Sequence, residues 1–339
     1  MAKAQIQTNP SVRLSRAKSI ITALLPTKQP VLLVGAPGVG KTSIYKEIAK
    51  ETNHDLIICH PILDDRVDYK GLPGIVDGNA EFLPFGILRQ IMEADKPTIV
   101  FFDDLGQAFT DVQASIMQLV LGRELNGKKI SDHVVFAAAT NRKKDKAGVS
   151  GVLAPLLDRF AAVIPVDFHI DDWAAWMMKQ GYDSTLVAYA RMRPSAMVDV
   201  VASGEIEKTC TPRAVAGVGE LLKLGITDAL TLGCAAGNAW AAEFCAFRNV
   251  VESIPDINSI WKDPENAPVP TDNPIMYGLM ASLAYHAEDE KVDALMTYLL
   301  RVPPQYAIVC LKDAAAKLPS MYANEKFGEW TNNNAAAFA

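Results

Sequence analysis

The stretch VLLVGAPGVGKTSIYKEI, residues Val31 to Ile48, decides the fold. Four apolar residues, Val31–Val34, read as a short buried strand. Gly35, Ala36, Pro37, Gly38, Val39, Gly40, Lys41 and Thr42 then match the spacing G-x-x-x-x-G-K-[ST] at every fixed position, and a helical run opens at Lys41. Glycines at these points let the backbone curl until successive N–H groups point inward at phosphate oxygens. The helix that follows, with Ser43 in its first turn, presents its positive end to the same anion. Lys41 is placed to reach β- and γ-phosphates, and Thr42 to ligate Mg2+ through its hydroxyl. The turn is expected to hold a nucleoside triphosphate.

Working outward, a helix over Arg13–Leu25 stops at Pro26, and apolar strands are expected at Asp55–His60, Thr98–Asp103, His133–Thr140 and Ala162–Val166. Helix-length segments separate them, including one around Asp111–Leu121, which implies a parallel sheet with helices on both faces. TIVFFDDLG puts Asp103 and Asp104 at the C-terminal end of a strand, where doubly wound sheets gather their ligands. Asp103 suits the Mg2+ shell, and Asp104 suits the base that polarises an attacking water. Asn141 ends the strand VVFAAATN and could orient that water, or simply cap a turn. Arg159 in PLLDRF and Arg213 in TPRAV could each meet a γ-phosphate or stay solvated.

Two short interruptions read as β-hairpins. GIVDGNAEF turns on Asp77-Gly78 and RELNGKKI on Asn126-Gly127, dipeptides that suit the positive φ values of a type I′ turn. A GTPase reading also presents itself, because DDLG spells D-x-x-G and NRKKD echoes N-K-x-D. The echo is one residue too long, with Asp145 four positions after Asn141. That carboxylate cannot meet a guanine edge without rebuilding the loop.

After Phe168 the strand signal ends, and DDWAAWMMKQG, STLVAYARM, PSAMVDVVAS, TPRAVAGVGELLKLG and the alanine-rich run near Ala229–Phe247 read as helices. The proline- and Asp-rich Ile254–Pro274 reads as a linker or strap, followed by a helical segment from Ile275 to Tyr322 broken at Pro303-Pro304, and a frayed tail TNNNAAAFA. The domains expected are 1–168, an α/β nucleotide-binding domain, 169–253, an α-helical lid, and 254–339, a linker with a helical extension.

Composition narrows the function classes. The 339 residues carry a net charge of −6, with half of them hydrophobic, which is ordinary for a soluble enzyme and gives no global case for a nucleic-acid or anionic-membrane partner. A local basic run (Lys128, Lys129, Arg142, Lys143, Lys144, Lys146) keeps a DNA-directed role in play. Five dispersed cysteines without C-x-x-C spacing suggest reduced thiols. The alanine-rich run, interrupted by Asn238 and Glu243, makes a poor membrane span. A cytoplasmic protein without membrane insertion is expected.

The ordered set GAPGVGKT, VFFDDLGQA, AAATN, LLDRF and TPRA resembles an AAA+ ATPase over about residues 10–250, and LLDRF, TPRA and the two hairpins resemble its MoxR-like branch. The resemblance implies a three-layer P-loop NTPase domain, a helical lid, sensor 1 at Asn141, an arginine finger at Arg159 and sensor 2 at Arg213. It further implies a homo-oligomer, a hexameric ring with ATP and Mg2+ at subunit boundaries, that remodels a protein partner such as one carrying a von Willebrand factor A domain. The hairpins, with Phe82 and Leu125, are expected by the same analogy to grip a substrate segment in the pore. Asp104 departs from the family's usual Glu and shortens the base by about 1.5 Å. A nucleotide-gated binding module with little hydrolysis is therefore the alternative, with a DNA-directed AAA+ ATPase as a third reading. The part of the chain after Ile254 exceeds the usual lid.

Overall fold

The structure, a computed structural model, describes residues 10–145, 150–198 and 208–335. Three sequence expectations fall partly elsewhere: the second half of the helix over 194–203, Lys146 of the basic run and the last four residues lie outside the described residues. The chain forms two compact units, 1–168 and 169–339.

In the first unit, helix α1 (Leu14–Leu24) precedes strand β1 (Val31–Gly35), then α2 (Lys41–Glu51), β2 (Asp55–Cys59) and α3 (Arg66–Lys70). The hairpin β3 (Leu72–Val76) and β4 (Asn79–Leu83) leads into α4 (Gly86–Met92), β5 (Thr98–Phe102) and α5 (Thr110–Gly122). A second hairpin, β6 (Glu124–Leu125) and β7 (Lys128–Lys129), precedes β8 (Val134–Thr140), α6 (Ala154–Leu157) and β9 (Ala162–Val166). Five parallel strands lie in the order β2-β5-β8-β1-β9. The crossover from β1 to β2 leaves room for two later strands, so β8 fits directly between β1 and β5.

Each strand splits its side chains by alternation between two cores, as a period of two requires. Leu32, Val100, Phe102, Val134 and Phe136 face the helices α3 to α6. Val31, Leu33, Ile99, Phe101 and Val135 face α1 and α2. This is the three-layer parallel α/β fold expected of a P-loop AAA+ domain, and both-face burial explains the unbroken apolar runs TIVFF and VVFAAA. The outer edge of β9 is covered: Val12 N–H donates to Pro165 O at 2.9 Å and Asp167 N–H to Val12 O at 3.1 Å. That blocks the C-terminal end of an edge otherwise open to strand addition.

Both hairpin turns have positive φ at both central residues, 51° and 81° at Asp77 and Gly78, 52° and 77° at Asn126 and Gly127. The first hairpin separates α3 from α4, and the second precedes β8. They differ in exposure. Ile75 is 81% and Phe82 47% exposed, whereas Leu125 is 2% exposed and belongs to the α3–α6 core. The expectation that Leu125 grips a substrate is therefore corrected, because this side chain anchors its hairpin. The second hairpin is also tied to the first region, through Asn126 Nδ2 to Lys70 O at 3.1 Å and Lys128 to Glu81 at 3.3 Å.

The second unit is helical: α7 (Ile170–Lys179), α8 (Ser184–Met192), α9 (Pro212–Lys223), α10 (Ala229–Ala236), α11 (Asn238–Val251), α12 (Ile257–Lys262), α13 (Asn273–Tyr285), α14 (Val292–Leu299), α15 (Pro304–Lys317) and α16 (Glu325–Asn333). The alanine-rich run is two helices split at Gly237, whose φ is 97°. None of the described helices is long and apolar enough to cross a membrane. The expected linker contains α12, and the helical segment expected over Ile275–Tyr322 holds α13, α14 and α15, with a break before Pro304 as expected and a further one between Tyr285 and Val292. Helices on both sides of residue 254 pack together, since α13 lies against α8 and α15 against α7.

A buried ion network fastens them. Arg191 on α8 donates through Nε to Asp313 Oδ2 on α15 at 3.1 Å and through Nη1 to Asp171 Oδ1 on α7 at 2.5 Å. Lys312 adds a bond to Asp171 at 3.2 Å. Burial would raise the Asp171 carboxyl, but Arg191 and Lys312 outweigh it and hold it below the usual carboxylate range.

Candidate functional site

The site assembles at the C-terminal ends of β1, β8 and β5. From β1 the chain enters the glycine turn, where φ is 76° at Gly38 and 106° at Gly40, a region costly for a residue with a side chain. Gly35 is required for a different reason. A Cβ there would meet Val166 Cγ2 at 2.6 Å and Val166 O at 2.7 Å, so β1 and β9 could not keep their spacing. Val39 turns back into the core, 6% exposed, and Ala36 packs against the same cluster, which pins both halves of the loop. The first α2 bond runs from Ile44 N–H to Gly40 O. Lys41, Thr42 and Ser43 form the first turn of α2, the positive end of the helix, an arrangement suited to an anion.

Lys41 is 6% exposed. Its Nζ donates to Gly35 O and Ala36 O, each at 2.9 Å, and to Asn141 Oδ1 at 2.7 Å. Asn141 in turn donates through Nδ2 to Asp104 Oδ1 at 3.0 Å. One amide thus spans the ammonium of the loop and the second acid of β5. Thr42 Oγ1 donates to Asp103 Oδ2 at 2.7 Å, and the hydroxyl lone pairs and Asp103 Oδ1, which also accepts from Asp104 N–H at 3.1 Å, make a pair of hard oxygen donors. That donor chemistry fits Mg2+ at Thr42 and Asp103. Asp103 is further fixed by its N–H to Cys59 O at 3.0 Å. Burial, with Asp64 adding, pushes the Cys59 thiol up to about 12, so it stands behind the site as a protonated apolar filler.

Asp104 has φ 54° and ψ 35° and opens the tight turn Leu105–Gln107. Short Asp tolerates this left-handed conformation better than longer side chains. Five expected site residues, Lys41, Thr42, Asp103, Asp104 and Asn141, are therefore hydrogen-bonded in two connected sets. Arg159 is not part of them. It follows α6, is exposed and pairs with adjacent Asp158 at 3.7 Å. Arg213 belongs to the second unit, exposed on the first turn of α9, which Thr211 caps by accepting from Ala214 N–H at 3.1 Å.

The structure bears on two readings of the basic loop. Asp145, the acid of the GTPase echo, accepts from Arg142 Nε at 2.9 Å and Nη2 at 3.1 Å, so its carboxylate is occupied by its own loop. Arg142 also pairs with Asp167, and Lys128 with Glu81, which neutralises part of the basic run.

Gln113 escaped the sequence reading. It lies on the apolar face of α5 with Val112, Ile116 and Leu119, is 1% exposed and has both ends of its amide engaged. The signal was available: a long amide at a core position of an amphipathic helix must find buried partners.

Residues 31–168 match the family described as "ATPase family associated with various cellular activities (AAA)". That match lies within the first unit. The chain is similar to a Lon protease of Clostridioides difficile (strain 630), 31% identical over 170 residues, which are 45% of this chain and 20% of that protein. The chain spans about a fifth of the length of that curated relative. Among solved structures, the Thermotoga maritima RuvB Holliday junction branch migration motor is similar at 17% identity and TM-score 0.40, covering 85% of this chain and 86% of the other. NtrX from Brucella abortus in complex with ATP is similar at 12% identity and TM-score 0.39, covering 98% and 70%.

Proposed function

We propose that this chain is an ATP-hydrolysing, ring-forming protein of the MoxR-like branch, which couples nucleotide turnover to remodelling of a partner protein. The observation that carries the reading is the continuous connection Lys41–Asn141–Asp104, beside the Thr42–Asp103 pair, at the adjoining ends of three strands. A lysine, an amide and a carboxylate so joined are what a γ-phosphate and its attacking water require.

In this mechanism the N–H groups of the glycine turn and of Lys41–Ser43 hold the β- and γ-phosphates, and Lys41 exchanges its loop carbonyls for phosphate oxygens. Thr42 and Asp103 would hold Mg2+, which when bound neutralises charge on the phosphate oxygens. Asn141 orients a water against Asp104. Its oxygen bonds to the γ-phosphorus as the bond to the bridging oxygen of ADP breaks, and its proton passes to Asp104. Arg159, exposed and lightly held, serves in this reading as a finger for the next protomer's γ-phosphate, a role that contributes about 10³–10⁵ in rate. Arg213 acts from the helical unit as the second sensor. The exposed Ile75 and Phe82 of the first hairpin supply an apolar contact for the protein substrate, in keeping with a von Willebrand factor A partner or its client.

Phosphate release and light scattering on the purified protein, with and without ATP, test this. Lys41-dependent hydrolysis by a nucleotide-stabilised oligomer is expected; a monomer at all concentrations with no Lys41-dependent turnover would end the reading. One observation favours the second reading, a nucleotide-gated module that turns over slowly: Asp104 is short, left-handed and held by Asn141.

A further inference from the structure

The loop that follows Asp104 and the segment that carries Arg159 are stitched together at one buried side chain. Gln113 Nε2 donates to Ala108 O at 3.1 Å on the first and to Gly151 O at 3.0 Å on the second. Its Oε1 accepts from Leu153 N–H at 2.9 Å. Around this centre, Gly151 N–H donates to Gly106 O at 3.0 Å and Ser150 Oγ to the same oxygen at 3.1 Å. Leu153 is the residue on which α6 starts, Leu156 of that helix is fully buried, and Arg159 N–H closes the helix end on Leu156 O at 3.1 Å. Hydrogen bonds therefore run from the turn Leu105–Gln107 through Gly151 and Gln113 to the start of α6, and the helix leads on to the arginine.

Such a clamp does more than satisfy buried backbone. A terminal amide is the one side-chain group that can donate to two carbonyls and accept from an N–H in one plane. Bonds buried in a low dielectric transmit displacement because leaving any of them unmade is costly. We propose that Gln113 is a positioning residue that couples the two catalytic faces of a protomer: a shift of the Asp104 turn in its own site moves the Arg159 segment offered to the neighbouring site. This rests on the ring reading above, in which Asp104 serves its own nucleotide and Arg159 the adjoining one. The coupling predicts that turnover is cooperative around the ring and that Gln113 is needed for the cooperativity rather than for nucleotide binding.

The test is steady-state ATP hydrolysis by the full chain in four forms: wild type, Gln113→Met, Arg159→Ala and the double variant. Displacing a reacting group by about 1 Å costs roughly 10²-fold, so Gln113→Met is expected to lower kcat by about tenfold or more. KM for ATP should stay within about twofold, because the glycine turn is untouched. The Hill coefficient should fall toward one. Since Gln113 acts through Arg159, the double variant should hydrolyse no more slowly than Arg159→Ala alone.

Losses that multiply in the double variant, or a raised KM with unchanged kcat, would overturn the coupling while leaving the finger intact. No effect of Arg159→Ala would instead remove the trans arginine, and with it the ring reading. Should Gln113→Met fail to fold by circular dichroism, Gln113→Glu and the exposed Ser150→Ala decide the matter. The first keeps the acceptor for Leu153 and loses both donors, and the second removes a single bond to Gly106. Both should lower kcat in the wild-type background and change nothing in the Arg159→Ala background. Equal losses in both backgrounds would reject the proposal.

Discussion

Replacing Asp104 by Glu sets reach against backbone strain, and the structure gives both sides of the balance. The carboxylate gains about 1.5 Å of reach from one extra C–C bond. Against this, residue 104 has φ 54° and its carboxylate accepts from Asn141 Nδ2 at 3.0 Å. The left-handed region costs an ordinary L-residue about 1–2 kcal/mol, a cost that Asp partly escapes through its local hydrogen bonding and Glu does not. Asp104→Glu should therefore destabilise the chain by about 1 kcal/mol, a fall of roughly 2–4 °C in Tm.

Turnover should move the other way. A well-placed base contributes about 10²–10⁴, and an acid one bond short forgoes part of it, so kcat is expected to rise about tenfold, or roughly 1.4 kcal/mol of barrier. Phosphate release under saturating ATP reads the rate, and a thermal melt reads the strain. Asp104→Asn is the control, because it keeps shape and left-handed tolerance but takes no proton; its kcat should collapse with nucleotide binding retained. A folded, nucleotide-binding Asp104→Glu protein that hydrolyses no faster refutes the argument that reach limits the base.

Five further outcomes can be measured. Tyr45 is fully buried with a hydroxyl that has no hydrogen-bond partner among the described residues, so Tyr45→Phe should raise stability by about 1 kcal/mol, and a lower denaturation midpoint would contradict this. Leu125→Ala should cost about 2–5 kcal/mol in denaturant unfolding as a core truncation. Ile75→Ala should stay within about 0.5 kcal/mol while weakening partner remodelling. Asp171 is held below its unfolded value, which is about 3.9, so its stabilisation is present above that pH and drains away as pH falls below it. An acid titration followed by near-ultraviolet circular dichroism should show that loss, and an Asp171→Asn protein should lack it. Cys59, with its thiol pushed up to about 12, should resist alkylation in the native state, while exposed Cys234 reacts.

The α/β unit was legible because its signals are local and redundant. TIVFF and VVFAAAT are buried on both faces, so they print as unbroken apolar runs, and each ends on the polar residue that the sheet delivers to the site. Asp77-Gly78 and Asn126-Gly127 specify their turns without reference to anything distant. What failed was what depends on partners far along the chain. β6 and β7 have two residues each, too short to show which side faces the core, so Leu125 was placed outside. The polar residues of Ile254–Pro274 looked like a linker, yet Asp256 caps α12 by accepting from Asn258 N–H at 3.0 Å, and Pro274 lies in the first turn of α13. Cap residues and linker residues are the same types, and only packing separates them.

The position of Asn141 shows how topology turns three separate motifs into one site. β8 pairs with β1 so that Thr140 lies beside Val34, and with β5 so that Ala138 lies beside Phe102. The strand therefore runs two residues past the end of β5, and Asn141 emerges level with Gly35, beside the turn that begins at Asp104. Because side chains alternate along a strand, a slip of one residue in either pairing would aim the amide into the opposite layer. The burial of both faces forbids that slip, since it would exchange Phe136 and Ala137 between cores of different shape. Register is thus enforced by apolar residues far from the chemistry, and the contact of one amide with both Lys41 and Asp104 is its consequence. Residue type and position alone leave Asn141 readable as a turn residue, and only the resemblance of AAATN singles it out. Its contacts with Lys41 and Asp104 follow from the strand order that places β8 between the other two.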